Sequence, residues 1–237
     1  MKNNMSEMLW FLILGSIFLL LFAIGEYLFR RRKWDAEHTR KLVHVGSGLL
    51  ALTFPLVFEN HWWVLGLCGS FYLILISSKK FGFLESINGV DRITYGSDLF
   101  PVAVYVLFLW YQRNVGSATP EIGLSYKLLY LYYHPLLTLA ICDPVAALVG
   151  RRFQWIPLTV FGHTKTIAGS LAFCITSITI CIGLYYVFGE YYWKEFGILY
   201  LLVTGVVTAV AEFISTKGID NFVIVAVAAI LDYLFFI

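Results

Sequence analysis

Residues 140–170 read AICDPVAALVGRRFQWIPLTVFGHTKTIAGS, and this stretch organises the predicted fold and the predicted site. It carries Asp143 deep within an apolar run, then a basic segment at 151–152, then a turn of small residues that opens the next apolar run. A carboxylate within hydrocarbon is costly and is usually retained for function, so Asp143 is the first candidate site residue. Acidic and basic side chains on the two sides of one loop suggest a metal ion and a phosphate group.

The composition indicates an integral membrane protein. Of the 237 residues 59% are hydrophobic and only 14% are charged, and the mean hydropathy is +0.78, which no water-soluble domain of this size could solvate. An apolar chain with a net charge of +2 is not expected to bind nucleic acid. Cys68, Cys142, Cys174 and Cys181 lie within apolar runs at spacings that fit neither a zinc site nor a disulfide framework, which predicts packing roles.

Apolar runs predict an all-α bundle of about eight transmembrane helices in a single domain, 1–237. A hydrocarbon core of about 30 Å needs roughly 20 apolar residues per helix. The first run is followed by four basic residues, a stop-transfer pattern, so we predict a helix at 8–29, peripheral to a catalytic core at 40–236. The fourth run is short. The predicted spans are 8–29, 42–58, 62–77, 99–111, 128–149, 169–188, 196–213 and 221–236.

The distribution of lysine and arginine predicts that the N-terminus is outside. With this orientation thirteen of them fall in the loops at 30–41, 78–98, 150–168 and 214–220, and only four lie on the other side. This is a strong positive-inside bias. We therefore expect a multi-pass protein of a prokaryotic cell membrane, with the loops that carry the active site in the cytoplasm.

Two cations and a histidine stand where the second span begins. Arg40, Lys41 and His44 are spaced i, i+1 and i+4, so Arg40 and His44 share one helix face and Lys41 lies beside them. Such a group could hold phosphates near the membrane surface. The alternative is that the two cations snorkel to the surface and that His44 is a buried, hydrogen-bonded histidine. Small residues at 46–48 predict close helix packing.

The residues that follow Asp143 predict a close helix contact and a cation. Asp143, Ala147 and Gly150 are spaced i, i+4 and i+7, a narrow face against which another backbone can pack. Pro144 lacks an N–H group and so frees a backbone carbonyl one turn earlier. Burial would protonate an unpaired carboxylate, so an ionised Asp143 requires Mg²⁺ or a cationic side chain. The alternative to a metal ligand is an ion pair with the arginines at 151–152.

The segment before the sixth span predicts an anion site. A helix N-terminus presents free N–H groups and the positive end of the helix dipole, and Lys165 adds a charge there. The spacing is not that of a P-loop. The alternative is that Lys165 only sets the topology. The residues concerned are Gly162, His163, Thr164, Lys165, Thr166, Gly169 and Ser170.

Two further acids lie near the C-terminus. Glu212 stands at the inner end of the seventh span, and Asp220 opens the eighth. Together they could join Asp143 around a divalent cation, whose preferred ligands are carboxylate oxygens and water. The alternative role of Asp220 is that of a helix N-cap. In the polar stretch at 91–98, Asp98 is predicted to cap the fourth span, with a metal-ligand role as the alternative.

Four motifs resemble those of the polyprenol kinase family, which includes phytol kinase, dolichol kinase and the CTP-dependent diacylglycerol kinase and is related to CDP-diacylglycerol synthase. They are RKLVH at 40–44, DPVAALVGRR at 143–152, KTIAGS at 165–170 and EFISTKGIDN at 212–221. The resemblance covers most of 40–221. It implies a membrane kinase that phosphorylates an isoprenoid alcohol of the phytol, polyprenol or dolichol type, with CTP as the donor and Mg²⁺ or Mn²⁺ as the cofactor.

The resemblance also implies roles for individual residues, because phosphoryl transfer requires mainly positioning and charge neutralisation. Asp143, Asp220 and Glu212 would bind the metal. Asp143, Lys165 and His44 would be catalytic, with His44 or one of the carboxylates accepting the proton of the alcohol. The residues implied in nucleotide and phosphate binding are Arg40, Lys41, Gly150, Arg151, Lys165, Thr166, Gly169, Ser170 and Asn221.

Three alternatives remain at this point. One is a CTP-dependent diacylglycerol kinase. Another is a cytidylyltransferase that makes a CDP-lipid, which is disfavoured because Ala168 stands where those enzymes carry a glutamate. The third is a transporter, whose polar groups should lie near the membrane midplane and repeat across two halves, whereas here they crowd at one face.

Overall fold

A computed structural model describes residues 4–89, 94–116, 122–161, 163–188 and 197–236. Of the described residues 85% are helical, in agreement with the predicted all-α class. The helices are α1 (Asn4–Arg32), α2 (Ala36–Ala51), α3 (Phe54–Val57), α4 (His61–Phe81), α5 (Glu85–Asn88), α6 (Gly96–Gly116), α7 (Ile122–Leu137), α8 (Asp143–Phe153), α9 (Ile167–Phe188), α10 (Gly197–Ile214) and α11 (Asp220–Phe236).

Five helices in these ranges are long and apolar enough to cross a membrane. They are α1, α4, the continuous helix Leu129–Phe153, α9 and α10. A polytopic helical membrane protein is therefore confirmed. The predicted spans at 99–111 and 221–236 lie within α6 and α11, and the span at 42–58 is divided between α2 and α3. The total of eight spans and their orientation stay predictions.

The second predicted span is not one continuous helix. α2 ends at Ala51 and α3 begins only at Phe54. Pro55 has no N–H group to bond to the carbonyl of Ala51 four residues earlier. That oxygen instead accepts the hydroxyl of Tyr132 at 3.0 Å. The break at Pro55 therefore leaves the Ala51 carbonyl available to Tyr132, and this hydrogen bond links α2 to α7.

A second proline accounts for a bulge between α7 and α8. Thr138–Cys142 form a π-helical turn, in which the residue at position 144 would bond to the carbonyl of Leu139. Pro144 cannot make this bond. Nε2 of His44 lies 3.1 Å from the oxygen of Leu139. The carbonyl expected to be freed by Pro144 thus receives a hydrogen bond from α2.

Small residues allow α2 to approach this bulge. A Cβ atom on Gly48 would lie 2.3 Å from Cβ of Ala140, and one on Gly46 would lie 2.8 Å from the side chain of Leu21. The close packing predicted for residues 46–48 is therefore confirmed. It holds α2 between α1 and the start of α8.

The segment between α8 and α9 contains an unpredicted hairpin. β1 (Pro157–Val160) and β2 (His163–Thr166) pair antiparallel, with Pro157 opposite Thr166. A loop is predicted at 150–168, because strands of four residues are too short to show an alternating pattern. Lys165 therefore stands on a strand.

Candidate active site

Three carboxylates meet where α8 begins, α10 ends and α11 begins. One oxygen from each of Asp143, Glu212 and Asp220 lies within 4.8 Å of the other two. Asp143 and Glu212 are buried, and Asp220 is half-buried. The sequence suggested that these acids, up to 77 positions apart, would converge, and the structure brings them together.

Two lysines neutralise two of these acids. Nζ of Lys41 lies 2.5 Å from Oδ2 of Asp143, and the pair is buried. Lys165 donates to the carboxylate of Glu212 and, at 2.6 Å, to its backbone carbonyl. The suggested pairing of Asp143 with the arginines at 151–152 is wrong, because α2 brings Lys41 to Asp143 first.

Asp220 has a different environment. Its Oδ1 accepts the N–H of Asn221 at 3.0 Å, and within the described parts of the chain no lysine or arginine forms an ion pair with it. It is the first residue of α11 and does not make the N2 or N3 contact of a typical N-cap. Burial, together with the nearby Asp143 carboxylate, raises the pKa of Asp220 above its ordinary value. This oxygen-rich position is well suited to a cation.

The two arginines predicted to bind phosphate are held by acids that the sequence analysis missed. Arg40 donates twice to the buried Glu37, at 2.5 and 3.2 Å. Arg151 lies 3.3 Å from Asp35 and 3.7 Å from Glu37. Glu37 precedes Arg40 by three positions on one helix face, a signal that could have identified it.

The Asp35 carboxylate, outside the helices, shows the effect of this pairing. Although its partial burial favours the neutral form, the guanidinium of Arg151 lowers the pKa of Asp35 below its ordinary value. The carboxylate is thus ionised at neutral pH and keeps Arg151 at the edge of the site. Because both groups are about half exposed, solvent screens this ion pair.

The start of α9 is built by small residues and one cap. Oγ1 of Thr166 accepts the N–H of Gly169 at 3.1 Å. A Cβ atom on Gly150 would lie 2.7 Å from Oγ1 of Thr166 and 3.6 Å from Cα of Gly169. The backbones of α8 and α9 are therefore closely packed at this point. This is the close contact predicted for Gly150, whereas Ala147 lines the cavity instead. Gly162 of the same predicted segment lies outside the described residues.

A cavity of about 390 Å³ unites these groups. Every predicted site residue except His44 lines it. Thr94, Gly96 and residues 215–218 line it as well. Oγ of Ser170 is buried beside it and has no hydrogen-bond partner among the described residues. The predicted site residues that line this cavity are Arg40, Lys41, Asp143, Gly150, Arg151, Lys165, Thr166, Gly169, Ser170, Glu212, Asp220 and Asn221.

His44 and Asn221 have placements that the sequence did not suggest. His44 lines a neighbouring apolar cavity and packs its ring edge against Phe100, with centroids 4.8 Å apart. Nδ2 of Asn221 donates to the carbonyl of Gly96 at 2.6 Å, which ties α11 to α6. A Cβ atom on Gly218, whose φ is +86°, would lie 2.1 Å from the nitrogen of Gly96, so the same two segments pack backbone to backbone.

The residues around the cavity fit a divalent cation and a phosphate. Three carboxylate oxygens in one small space are the ligand set that Mg²⁺ prefers. Lys41, Lys165 and the unpartnered hydroxyl of Ser170 offer positive charge and a donor to phosphate oxygens. Asp98 does not join the cluster, because it pairs with Lys79 at 2.6 Å. The predicted polar residues at 91–92 lie outside the described residues.

A second buried polar cluster lies about 18 Å along α11 from the first, at a rise of 1.5 Å per residue. Nδ1 of His134 lies 2.9 Å from Oδ2 of Asp232, and both side chains are fully buried. The Tyr200 hydroxyl donates to Asp232 at 2.6 Å and lies 2.7 Å from that of Tyr130. This cluster is not among the predicted sites, although both ionisable residues stand within apolar runs.

The fold and the site define a helical membrane protein with a carboxylate cluster and facing cations at one end of its bundle. Comparison with known proteins narrows this class. The chain is 29% identical to the phytol kinase of Synechocystis sp. over 231 residues, which is 93% of this chain and 89% of the relative. No family model and no solved structure matches it. This similarity extends over almost the whole chain and supports the resemblance to the polyprenol kinase family that its four motifs indicated.

Proposed function

We propose that the chain transfers the γ-phosphoryl group of CTP to the hydroxyl of a membrane isoprenoid alcohol. The observation that carries this proposal is the cavity in which three carboxylates face two lysines, all of them on motif residues. The similarity to a phytol kinase supports an isoprenoid alcohol as the acceptor. CTP as the donor rests on the family resemblance.

In this proposal the acids hold Mg²⁺ or Mn²⁺. Asp143, Glu212 and Asp220 would be its ligands, and the bound ion would neutralise charge on the phosphates. Lys41 and Lys165 pair with two of these acids. With nucleotide and cation present, their ammonium groups would be released to contact the phosphate oxygens.

Other residues of the cavity would position the triphosphate. Ser170 offers a hydroxyl donor, and the start of α9 offers N–H groups and the positive end of the helix dipole. Arg40 and Arg151, oriented by Glu37 and Asp35, would complete the cationic side. Gly150 and Gly169 line the cavity without side chains, so phosphate groups there would meet backbone only.

The chemical step forms one bond and breaks one. The alcohol oxygen bonds to the γ-phosphorus, the bond from this phosphorus to the bridging oxygen breaks, and CDP leaves. The alcohol proton passes to His44. Because Nε2 of His44 donates to the Leu139 carbonyl, Nδ1 is the nitrogen with a free electron pair. His44 is favoured over the acids because Lys41 and Lys165 pair with two of them and all three would be ligands of the cation.

We place this site on the cytoplasmic side, where CTP is available. The proposal rests on the excess of lysine and arginine in the loops that carry the four motifs. Labelling of single introduced cysteines in intact cells would test it. A cysteine introduced at position 33 or 34 should not react with a reagent that cannot cross the membrane.

The activity is tested with purified protein in detergent or lipid nanodiscs. The protein is incubated with CTP or ATP labelled in the γ-phosphate, Mg²⁺ and a panel of phytol, geranylgeraniol, longer polyprenols and diacylglycerol. We expect a lipid monophosphate made from an isoprenoid alcohol and CTP, identified by mass. A CDP-lipid with release of pyrophosphate would instead establish cytidylyl transfer, and no phosphorylated isoprenoid product would overturn the proposal.

A further inference from the structure

A narrow apolar cavity of about 70 Å³ lies within the bundle, between α1, α2, α4 and α6. Its walls are mainly aromatic and aliphatic. Phe18 and Phe22 of α1 face Leu67 and Cys68 of α4, and Val104 of α6 lies across from them. All five side chains are buried, so the cavity is part of the hydrophobic core.

This apolar cavity meets the carboxylate cavity. Arg40, Gly96 and Asn221 line both of them. His44 lines the apolar side of this junction, one helical turn after Arg40. A molecule with a hydroxyl at one end and a hydrocarbon chain behind it matches this change from polar to apolar walls.

We infer that the apolar cavity binds the hydrocarbon chain of the acceptor alcohol, and that its hydroxyl lies at the Arg40–Asn221 junction. The inference rests on the proposed function and specifies its substrate class. The cavity encloses only about 70 Å³, which suits one chain next to the hydroxyl, so we expect a single-chain isoprenoid alcohol to bind in preference to diacylglycerol, which carries two chains. A longer chain would extend past these walls into the bilayer.

A larger apolar groove is the competing site for the chain. It encloses about 320 Å³ between α6 and α11 and is lined by residues such as Val106, Trp110, Val225 and Tyr233. None of its lining residues lines the carboxylate cavity. A chain bound there would have no described opening through which its hydroxyl could reach the three acids.

The first test uses the unmodified protein and a geranylgeraniol analogue that carries a photoreactive diazirine on its chain. After irradiation, the cross-linked peptides are identified by mass spectrometry, with excess geranylgeraniol as the competitor. We expect competed cross-links to α1 or α4, near Phe18, Phe22, Leu67 or Cys68. Competed cross-links to 225–234 of α11, or the lack of any competed cross-link, would overturn the inference.

The second test fills the cavity and varies the length of the alcohol. Cys68→Phe should raise the KM for geranylgeraniol about tenfold, equivalent to about 1.4 kcal/mol, and should spare a five-carbon prenyl alcohol. Cys174→Phe, on α9 outside both cavities, is the matched control and should leave both KM values near wild type. An equal rise in the KM for both alcohols, at an unchanged melting temperature, would contradict the inference. If Cys68→Phe does not fold, the cross-linking decides.

The two proposals fail in different ways. If the wild-type protein phosphorylates no alcohol in the panel, the proposed function is wrong. If it is active but the chain cross-links to the α6–α11 groove, the function stands and only the chain site is wrong.

Discussion

Nζ of Lys41 lies 2.5 Å from Oδ2 of Asp143, across 102 positions of the sequence. The pair is buried, so removal of either partner leaves an uncompensated charge within the protein. The pair also fixes the rotation of α2 relative to α8, because Lys41 can reach Asp143 only from one face of α2. The catalytic proposal and the packing of these two helices therefore depend on the same contact.

Asp143→Asn is expected to abolish phosphate transfer. It removes one charged ligand from the cation site, and loss of one such electrostatic contribution typically lowers kcat by about 10²–10³. Phosphate transfer and Mn²⁺ binding, the latter by electron paramagnetic resonance, would both be measured. Asp98→Asn is the control, since Asp98 pairs with Lys79 outside the cavity, and it should stay active. A fully active Asp143→Asn protein would exclude Asp143 from the site.

Lys165→Met should have opposite effects on nucleotide and metal. Loss of a charged hydrogen-bond donor, worth about 1.5–3 kcal/mol, should raise the KM for the nucleotide about 10- to 100-fold. Divalent-cation binding without nucleotide should tighten, because Lys165 no longer neutralises Glu212. Lys80→Met, at an exposed site outside the cavity, is the control. Parallel weakening of both affinities would contradict the assigned role.

Divalent-cation binding should weaken as the pH falls. Burial and the Asp143 carboxylate raise the pKa of Asp220, so its proton persists to a higher pH than in an unfolded chain. A cation must displace this proton, which makes its affinity fall as the pH drops through the raised pKa. The stability of the cation-free protein should follow the opposite trend and rise as the pH falls. The reason is that the folded state binds the proton of Asp220 more tightly than the unfolded chain does.

Isothermal titration with Mn²⁺ between pH 5 and pH 8, together with melting temperatures in the absence of cations, would measure both trends. The Asp220→Asn protein should show weaker binding with a smaller dependence on pH. If its binding curve follows the wild type at every pH, Asp220 is not a ligand.

Gly218→Ala should separate the starts of α6 and α11. The φ of +86° disfavours any other residue, and the added Cβ would lie 2.1 Å from the Gly96 nitrogen. Such overpacking costs about 1–3 kcal/mol, so the melting temperature and the activity should both fall. Gly183→Ala, which has open space around it, is the matched control and should behave as wild type. Equal melting temperatures of the two variants would show that the loop relaxes.

Asp232→Ala should destabilise the fold without changing the cation site. It removes the carboxylate that lies 2.9 Å from Nδ1 of the buried His134, and loss of one partner of a buried hydrogen bond costs about 1–3 kcal/mol, and more for a charged group. The measured quantities are the melting temperature in detergent and the affinity for Mn²⁺. A double variant, His134→Leu with Asp232→Leu, should recover part of the lost stability because no buried charge remains. A change in Mn²⁺ affinity for the single variant would link the two clusters.

The convergence of Asp143, Glu212 and Asp220 could be anticipated from sequence, because each is an acid at the same end of a predicted span. The partners of these acids could not. Whether Lys41 or an arginine reaches Asp143 depends on the rotation of α2, which is set by Gly48 and by the π-helical turn. Neither the turn nor the hairpin that carries Lys165 has a periodic signal in the sequence.

The His134–Asp232 pair is a different kind of omission. Both residues stand in apolar runs, and the cost of burying a charge identified Asp143 by the same reasoning. The same cost of burying a charge therefore predicts a second buried cluster at His134 and Asp232. The break between α2 and α3 could also have been predicted, since Pro55 cannot continue the hydrogen bonding of a helix.

The order of synthesis has a consequence for the three acids. Lys41 and Asp143 emerge from the ribosome early and can pair while later helices are still being made. Asp220 follows on α11, 77 positions after Asp143. A nascent or truncated polypeptide that lacks α11 therefore cannot assemble the complete carboxylate cluster. The three acids meet only after α11 has been synthesised and inserted.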